Sequence, residues 1–487
     1  MQRLLLSLTL LACVVGVDPL AAQAAPDLPL SAREFASLWK TSPADFTVEW
    51  DQRLSRALAR VDSVRAPADS LTRERVRLRF RHAFGRIAHP WFNWREGDAL
   101  RVGRDTAGIR MARALPLADR TWWDQREHTE LVMALVHEEA RELLRTANDL
   151  KRGDARWLRA ELRAARGLGD SALTLHVASR LVSTWVDENG SRGTESSLVE
   201  WRALKPDEKA VRRVDSLVSV DREQRNGHVI VPYRRVDGVA LEAHILEGEG
   251  PSDKRGRPAM LWLHGGSFTS GTWWHSPVLV SSLRKDGVTV VAVDLRTGNR
   301  FDGGPVEQFE DAVAAYAWIK ANARKHGIDA TRIGVAGFSS GATLALLTAT
   351  RGVGVYPGKR TYPAAVMVMG ACADPAGPEE DGFFRRSVVG RGAVSDWSPS
   401  TLVARGQSPV LAIHATKDEY CAFDDMRRFI ERSAATGNSA KLVSVEGVGH
   451  FFGFYHPPGQ RQARMAVANA LREWQWTAQR DTSGLHL

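Results

Sequence analysis

From Leu30 to about Asp221 the apolar residues recur at helical spacing, and no stretch alternates as a half-buried strand would. Leu131, Leu135, Leu143 and Leu144, with Val132, Val136 and Ala140, fall on one stripe. Leu173, Leu175, Val177 and Leu181 form another within Ser171 to Trp185. Residues three and four apart share a helix face, so each stripe needs a partner to cover it. Gly167-Leu-Gly-Asp170 and Asn189-Gly190 punctuate the run as turns. The pattern predicts packed helical hairpins. The tryptophans at 122, 123, 157, 185 and 201 fit that core better than a set of sugar-stacking platforms.

Near Gly227 the period changes from 3.6 to 2. Residues 228 to 246 read as a β-hairpin turning at Asp237-Gly238. Beyond it, short apolar runs alternate with helical patterns, which predicts a mostly parallel sheet covered on both faces. Residues 373–407, rich in Gly, Pro and charge, interrupt the alternation and are expected to cap a pocket. A chain of 487 residues is too long for one core. The expected division is 1–24, 25–225 and 226–487.

The sharpest chemical signal is Arg332-Ile-Gly-Val-Ala-Gly-Phe-Ser-Ser-Gly-Ala342, an apolar strand entering Gly337-x-Ser339-x-Gly341, with a helix directly after. That context gives G-x-S-x-G its meaning, because a sharp turn holds the serine out where a base and a carbonyl can reach it. Upstream, the strand Pro258 to Leu263 ends in His264-Gly-Gly-Ser267. Glycines there let backbone N–H groups of Gly265 and Gly266 approach a developing oxyanion, with Ser340 N–H as the other donor. Downstream, Asp418 and His450 each follow a strand, at the carboxyl end where parallel sheets present functional groups.

The chain has 14 histidines, so the choice of base needs reasons. His414 lies inside a strand and reads as a packed core residue. His264 belongs to the glycine turn, and its ring is expected to brace that loop. His456 sits in a Pro-rich turn. Asp424 and Asp425 start a helical pattern, where carboxylates favour the N-terminus on ordinary electrostatic grounds. Ser339, Asp418 and His450 are therefore the expected nucleophile, acid and base.

These segments, with Phe309 to Lys320, Gly327 to Gly334 and Ser398-Pro399, resemble the α/β-hydrolase superfamily. The chain is similar within it to bacterial feruloyl and acetyl-xylan esterases and to hormone-sensitive-lipase-like enzymes. The resemblance implies an α/β-hydrolase fold from about 228 to 475, here preceded by an all-helical domain faintly similar to tetratricopeptide-type repeats. It implies an acyl-enzyme on Ser339 and short-chain or carbohydrate-linked acyl esters as substrates. Two departures bear on the acyl pocket: HGGS stands where many members have a third glycine, and Val293-Asp-Leu-Arg296 lacks their tyrosine. In the resembled fold the strands preceding Cys372 and Cys421 are neighbours, which implies a disulfide if the compartment is oxidising. Two free thiols are the alternative.

Residues 1–24 read as a signal peptide: Arg3, an apolar run from Leu4 to Val17, and Ala22-Gln-Ala24 as a cleavage site. Export, periplasmic or secreted, is the expectation; a lipoprotein anchor at Cys13 is an alternative. No later stretch is apolar enough to span a bilayer. The net charge of +9 is spread along helical patterns without a reading motif, which argues against nucleic acid as partner. His137-Glu-Glu-Ala-Arg141 lacks the second histidine of a zinc motif, so neither metal nor cofactor is expected. A peptidase with the same triad, its usual propeller replaced by helices, competes with the esterase reading. A binding protein on an inactive hydrolase fold is the remaining alternative.

Overall fold

The computed structural model describes residues 43–64, 66–92, 105–147, 150, 155–356, 359–375, 384, 388 and 393–477. The expected signal peptide, its cleavage site and Cys13 lie outside them, as does part of the expected cap. The chain divides into two compact units, one of residues 1–187 with 191–218, the other of 188–190 with 219–487. That division falls a few residues before the change of period near Gly227, inside the last helix of the helical segment.

The first unit is helical. Among the described residues it contains α1 (Pro43–Ser63), α2 (Ala68–Phe92), α3 (Thr106–Arg113), α4 (Arg126–Thr146), α5 (Arg156–Arg166), α6 (Ser171–Asn189), α7 (Glu195–Arg202) and most of α8 (Glu208–Gln224). The stripe of α4 is inside: Leu131, Val132, Leu135, Val136 and Ala140 are buried, while Leu143 and Leu144 are partly so. Trp50, Trp185 and Trp201 are fully buried and Trp122 nearly so. An indole inside a core needs an acceptor for its N–H; Trp50 donates to the His82 carbonyl at 2.9 Å and Trp201 to the Ser179 hydroxyl at 3.0 Å. Carboxyls are buried in this unit too, Glu130 among them. Glu130 accepts from Arg126 Nε at 3.0 Å through one oxygen, and its other oxygen is buried with no hydrogen-bond partner among the described residues. Burial pushes this acid up to about 7, against the pull of Arg126.

The second unit is built on an eight-stranded sheet. Its strands are β1 (Val229–Val236), β2 (Val239–Leu246), β3 (Arg257–Leu263), β4 (Thr289–Val293), β5 (Ile328–Phe338), β8 (Val366–Met369), β9 (Val410–Ala415) and β10 (Ala440–Val445), in the order β1-β2-β4-β3-β5-β8-β9-β10. β6 (Gly354–Tyr356) and β7 (Lys359–Thr361) form a separate small hairpin, which the sequence reading passed over. β1 and β2 pair antiparallel, as do β2 and β4. All the remaining pairs of the eight-stranded sheet are parallel.

Burial follows from that topology. β3, β4 and β9 are buried along their whole length, because crossover helices cover both faces of a parallel sheet. Successive side chains alternate between those faces: Met260 and Trp262 pack in one core, Leu261 and Leu263 in the other. The edge strand β1 is half exposed. Its link to β2 uses Asp237 at φ 50° and Gly238 at φ 79°, the paired left-handed residues that match hairpin twist.

The crossover helices are α9 (Val278–Lys285), α11 (Pro305–Asn322), α12 (Ser340–Arg351) and α13 (Phe423–Ala435), with the single turn α10 (Gly298–Phe301) among them; the single turn α14 (Phe452–Tyr455) and α15 (Pro457–Glu473) follow β10. The described part of 373–407 holds two short 3-10 turns, Val394–Trp397 and Pro399–Leu402. Among the described residues no helix is long and apolar enough to cross a membrane.

Candidate active site

β5 ends in Phe338 and α12 begins at Ser340, so Ser339 alone makes the turn between them, at φ 54° and ψ −124°. A non-glycine residue pays steric energy in that region and stays there only because its surroundings dictate it. The flanking glycines are those surroundings. A Cβ on Gly337 would stand 2.4 Å from the Gly341 carbonyl oxygen, and one on Gly341 would stand 2.1 Å from that of Leu263. Only hydrogen fits at either place.

The structure brings Ser339, His450 and Asp418 together. Ser339 Oγ lies 2.9 Å from His450 Nε2, and His450 Nδ1 lies 2.7 Å from Asp418 Oδ2. Asp418 Oδ1 accepts the N–H groups of Tyr420 at 2.9 Å and Cys421 at 2.8 Å. Burial would raise this carboxyl, but the hydrogen bond from His450, the His450 and His414 rings and the Cys421 N–H outweigh it and hold the acid below its usual range. The His450 backbone N–H donates to Glu419 at 3.0 Å. Phe338 and Tyr420 each place a ring centroid 5.0 Å from that of His450. Gly370, just past β8 at φ 61°, is so close that a Cβ would reach His450 Cε1 at 3.0 Å.

The loop after β3 meets the serine from the other side. A Cβ on Gly265 would touch Phe338 at 2.9 Å and Ser339 Cβ at 3.2 Å. Gly266 at φ 124° is followed by Ser267 and Phe268, both left-handed. The Phe268 carbonyl accepts the Gly298 N–H at 3.0 Å and Gln308 Nε2 at 2.6 Å, which anchors the loop on α10 and α11. Ser340 opens α12, and N–H groups in a helix's first turn have no partner within the helix. Gly265 thus lies against Ser339, and Ser340 follows it directly in the chain.

The rejected rivals have other work. His264 Nδ1 donates to the Gly265 carbonyl at 2.8 Å, bracing the turn. His456 caps α15, its Nδ1 accepting the Gly459 N–H at 3.0 Å. Asp424 and Asp425 start α13 and pair with Arg427 and Arg428. His414 is a buried strand residue, and its Nε2 also lies 3.4 Å from Asp418 Oδ2, a contact the sequence pattern did not reveal. Gln308 and Glu419 were likewise not singled out. Arg296, within the departure at 293–296, grips the buried Asp311 through Nε and its backbone N–H. Cys372 and Cys421 are joined by a disulfide.

One group of side chains has the composition of a metal site: Glu242, His244 and Asp294, with ligand atoms within 4.8 Å of one another. Each already has a protein partner. Arg225 holds Glu242 at 2.8 Å, His228 Nε2 meets His244 Nδ1 at 3.0 Å, and Asp294 accepts the Glu242 N–H at 3.2 Å.

Two family models match this half of the chain: BD-FAE over residues 249–355 and the dienelactone hydrolase family over residues 303–479. With the sheet order and the elbow at Ser339, they decide the fold. The second unit has the α/β-hydrolase fold. Relatives of this unit include proteins named for ester hydrolysis. Esterase LipC of Mycobacterium tuberculosis is 29% identical over 233 residues, 44% of this chain and 56% of its own length. Ethyl acetate hydrolase of Pseudomonas putida is 35% identical over 116 residues, 24% of this chain and 36% of its own. Fumonisin B1 esterase of Sphingopyxis macrogoltabida is 33% identical over 103 residues, 18% of this chain and 19% of its own. The chain thus spans about half, or less, of the curated relatives it matches. Among solved structures, the apo form of Thermogutta terrifontis esterase 2 aligns with a TM-score of 0.47 at 23% identity, covering 53% of this chain and 98% of that one.

Proposed function

We propose that the protein hydrolyses carboxylic esters of small molecules through an acyl-enzyme on Ser339. The observation that carries this reading is His450 bridging Ser339 at 2.9 Å and Asp418 at 2.7 Å. In the first step His450 Nε2 takes the hydroxyl proton as Oγ attacks the ester carbonyl. Asp418 keeps the Nδ1 proton in place and stabilises the imidazolium without itself being protonated. The carbonyl oxygen becomes an anion, which the N–H groups of Gly265, Gly266 and Ser340 receive. His450 then gives its proton to the departing alkoxide. Water, deprotonated by the same ring, attacks the acyl-enzyme, releases the acid and restores Ser339.

Short-chain or carbohydrate-linked acyl groups are the substrates we put first. A relative named ethyl acetate hydrolase supports the short acyl chain. Export is part of the same proposal, since a disulfide between Cys372 and Cys421 persists in oxidising compartments.

The test is a panel: p-nitrophenyl esters of increasing chain length, feruloyl and acetylated-sugar esters, and an aminoacyl amide. Labelling with a fluorophosphonate follows. Turnover of short soluble esters with label on Ser339 is the expected outcome. Faster cleavage of the amide would move the assignment to a peptidase, and label on another serine would remove it.

A further inference from the structure

The triad acid touches a second imidazole. His414, the penultimate residue of β9, is fully buried. Its Nε2 lies 2.9 Å from the Cys421 carbonyl oxygen and 3.4 Å from Asp418 Oδ2. That is the same carboxylate oxygen that receives His450 Nδ1 at 2.7 Å. Both groups facing His414 Nε2 can only accept, so Nε2 carries the proton.

The opposite side of the ring fixes the charge. His414 Nδ1 is buried with no hydrogen-bond partner among the described residues. A protonated ring would hide a second N–H there without an acceptor, an expensive arrangement. Burial lowers the His414 pKa, while Asp418 and the Cys421 carbonyl pull the other way. The ring is thus a neutral donor of one tautomer. The ionisable groups that face it are Asp418, His450 and Asp425 of α13, with the Phe423 ring edge-on at 6.0 Å. Glu419 beside them is engaged by the His450 backbone N–H.

A histidine that only braced the Cys421 turn would leave Asp418 alone. The shared Oδ2 is what gives His414 a part in the reaction. We propose that His414 is a positioning residue for the triad acid: its Nε2–H, hydrogen-bonded to the Cys421 carbonyl, sets a positive edge 3.4 Å from Asp418 Oδ2 that steers the carboxylate toward His450 Nδ1 and draws off part of its negative charge. The inference rests on Ser339, His450 and Asp418 acting as a triad. Without the donor, the charge on Oδ2 falls more fully on His450. The imidazolium is then stabilised in the resting enzyme, so the free base appears only at higher pH. The carboxylate also loses a restraint on its orientation.

The experiment compares His414→Phe, which keeps a ring and loses the donor, with His414→Gln, whose amide N–H reaches the same acceptors. kcat and KM are measured on p-nitrophenyl acetate across the pH range. The downfield proton resonance of the His450 Nδ1–H is recorded on the full chain without substrate. The phenylalanine variant is expected to lose roughly 10–100-fold in kcat, well short of the ~10⁴ lost with the triad acid itself, with KM little changed. The acid limb of its kcat/KM profile should move to higher pH and the downfield resonance should shift, and His414→Gln should restore both. A variant that loses activity only with folded protein, its pH profile and resonance unaltered, overturns the proposal. If His414→Phe does not fold, His414→Asn, whose amide is too short for Asp418, takes its place with the same two outcomes. The resonance needs no substrate, so it decides this point even if the ester reading fails.

Discussion

Glu130 of the helical unit and Asp418 of the α/β-hydrolase unit are both buried acids, 1% and 7% exposed, yet burial governs only the first. Among the described residues Glu130 has one side-chain donor, from Arg126, and its second oxygen has no hydrogen-bond partner. Asp418 collects two backbone N–H groups and the His450 ring, with the His414 ring 3.4 Å from one oxygen. The first is pushed up to about 7 and the second is held down. Desolvation sets a cost for charge; the groups around Asp418 overcome it, and the single arginine at Glu130 does not.

The most severe way to probe that contrast is to remove the groups the donors serve. Ser339→Ala should lower ester turnover by about 10⁴–10⁶, and His450→Ala should match it, with the double variant scarcely worse because the residues act as a unit. Steady-state kinetics on a soluble ester checks this; additive losses would break the triad. Asp418→Asn should cost up to about 10⁴ in kcat, whereas Glu130→Gln should leave kcat within about twofold. Comparable losses from both would erase the distinction between the two acids.

The disulfide comes next. Cys372 and Cys421 enclose a separation of 49 residues, and releasing that loop should destabilise the α/β-hydrolase unit by about 4 kcal/mol in the chain-entropy picture. Calorimetry with and without reductant should show the lowered transition to be the one at which ester activity disappears.

The smallest effect lies in pH dependence. Glu130 has its folded pKa raised from 4.5 to about 7, so its contribution to stability is fully present below about 4.5 and is lost as pH rises through about 7. Replacing it with Gln should therefore leave a melting temperature that gains on the wild type between pH 5 and pH 8, by the equivalent of about 1–3 kcal/mol. Asp418 behaves oppositely. Its contribution is present above the ordinary carboxylate range and is lost as pH falls below it. A Glu130→Gln curve parallel to the wild type would remove the contrast.

Much of the α/β-hydrolase unit was legible in the sequence because its signals are local. Gly337 and Gly341 flank Ser339 at fixed spacing, strand and helix follow each other without a gap, and Asp418 and His450 trail their strands by a few residues. What stayed hidden depends on contacts between segments distant in the chain or on side-chain direction. His414 reads as a core residue and is one; that its polar edge turns onto Asp418 depends on the path of the turn at 416–421. The β6–β7 hairpin has too few residues for a periodic signal. In the helical unit, stripes announce helices but not which helix covers which, and a single buried acid such as Glu130 looks the same as its exposed neighbours.

The bare backbone at Gly370 bears on motion. Any side chain there would press on the edge of the His450 ring, and the left-handed φ of 61° already disfavours one. Under the proposed reaction the ring must hand a proton from the serine oxygen to the departing alkoxide, two atoms that cannot occupy the same place. A rigid imidazole could serve one of them well and the other poorly. With only a hydrogen atom at Gly370, that edge of the ring keeps the clearance such a handover requires.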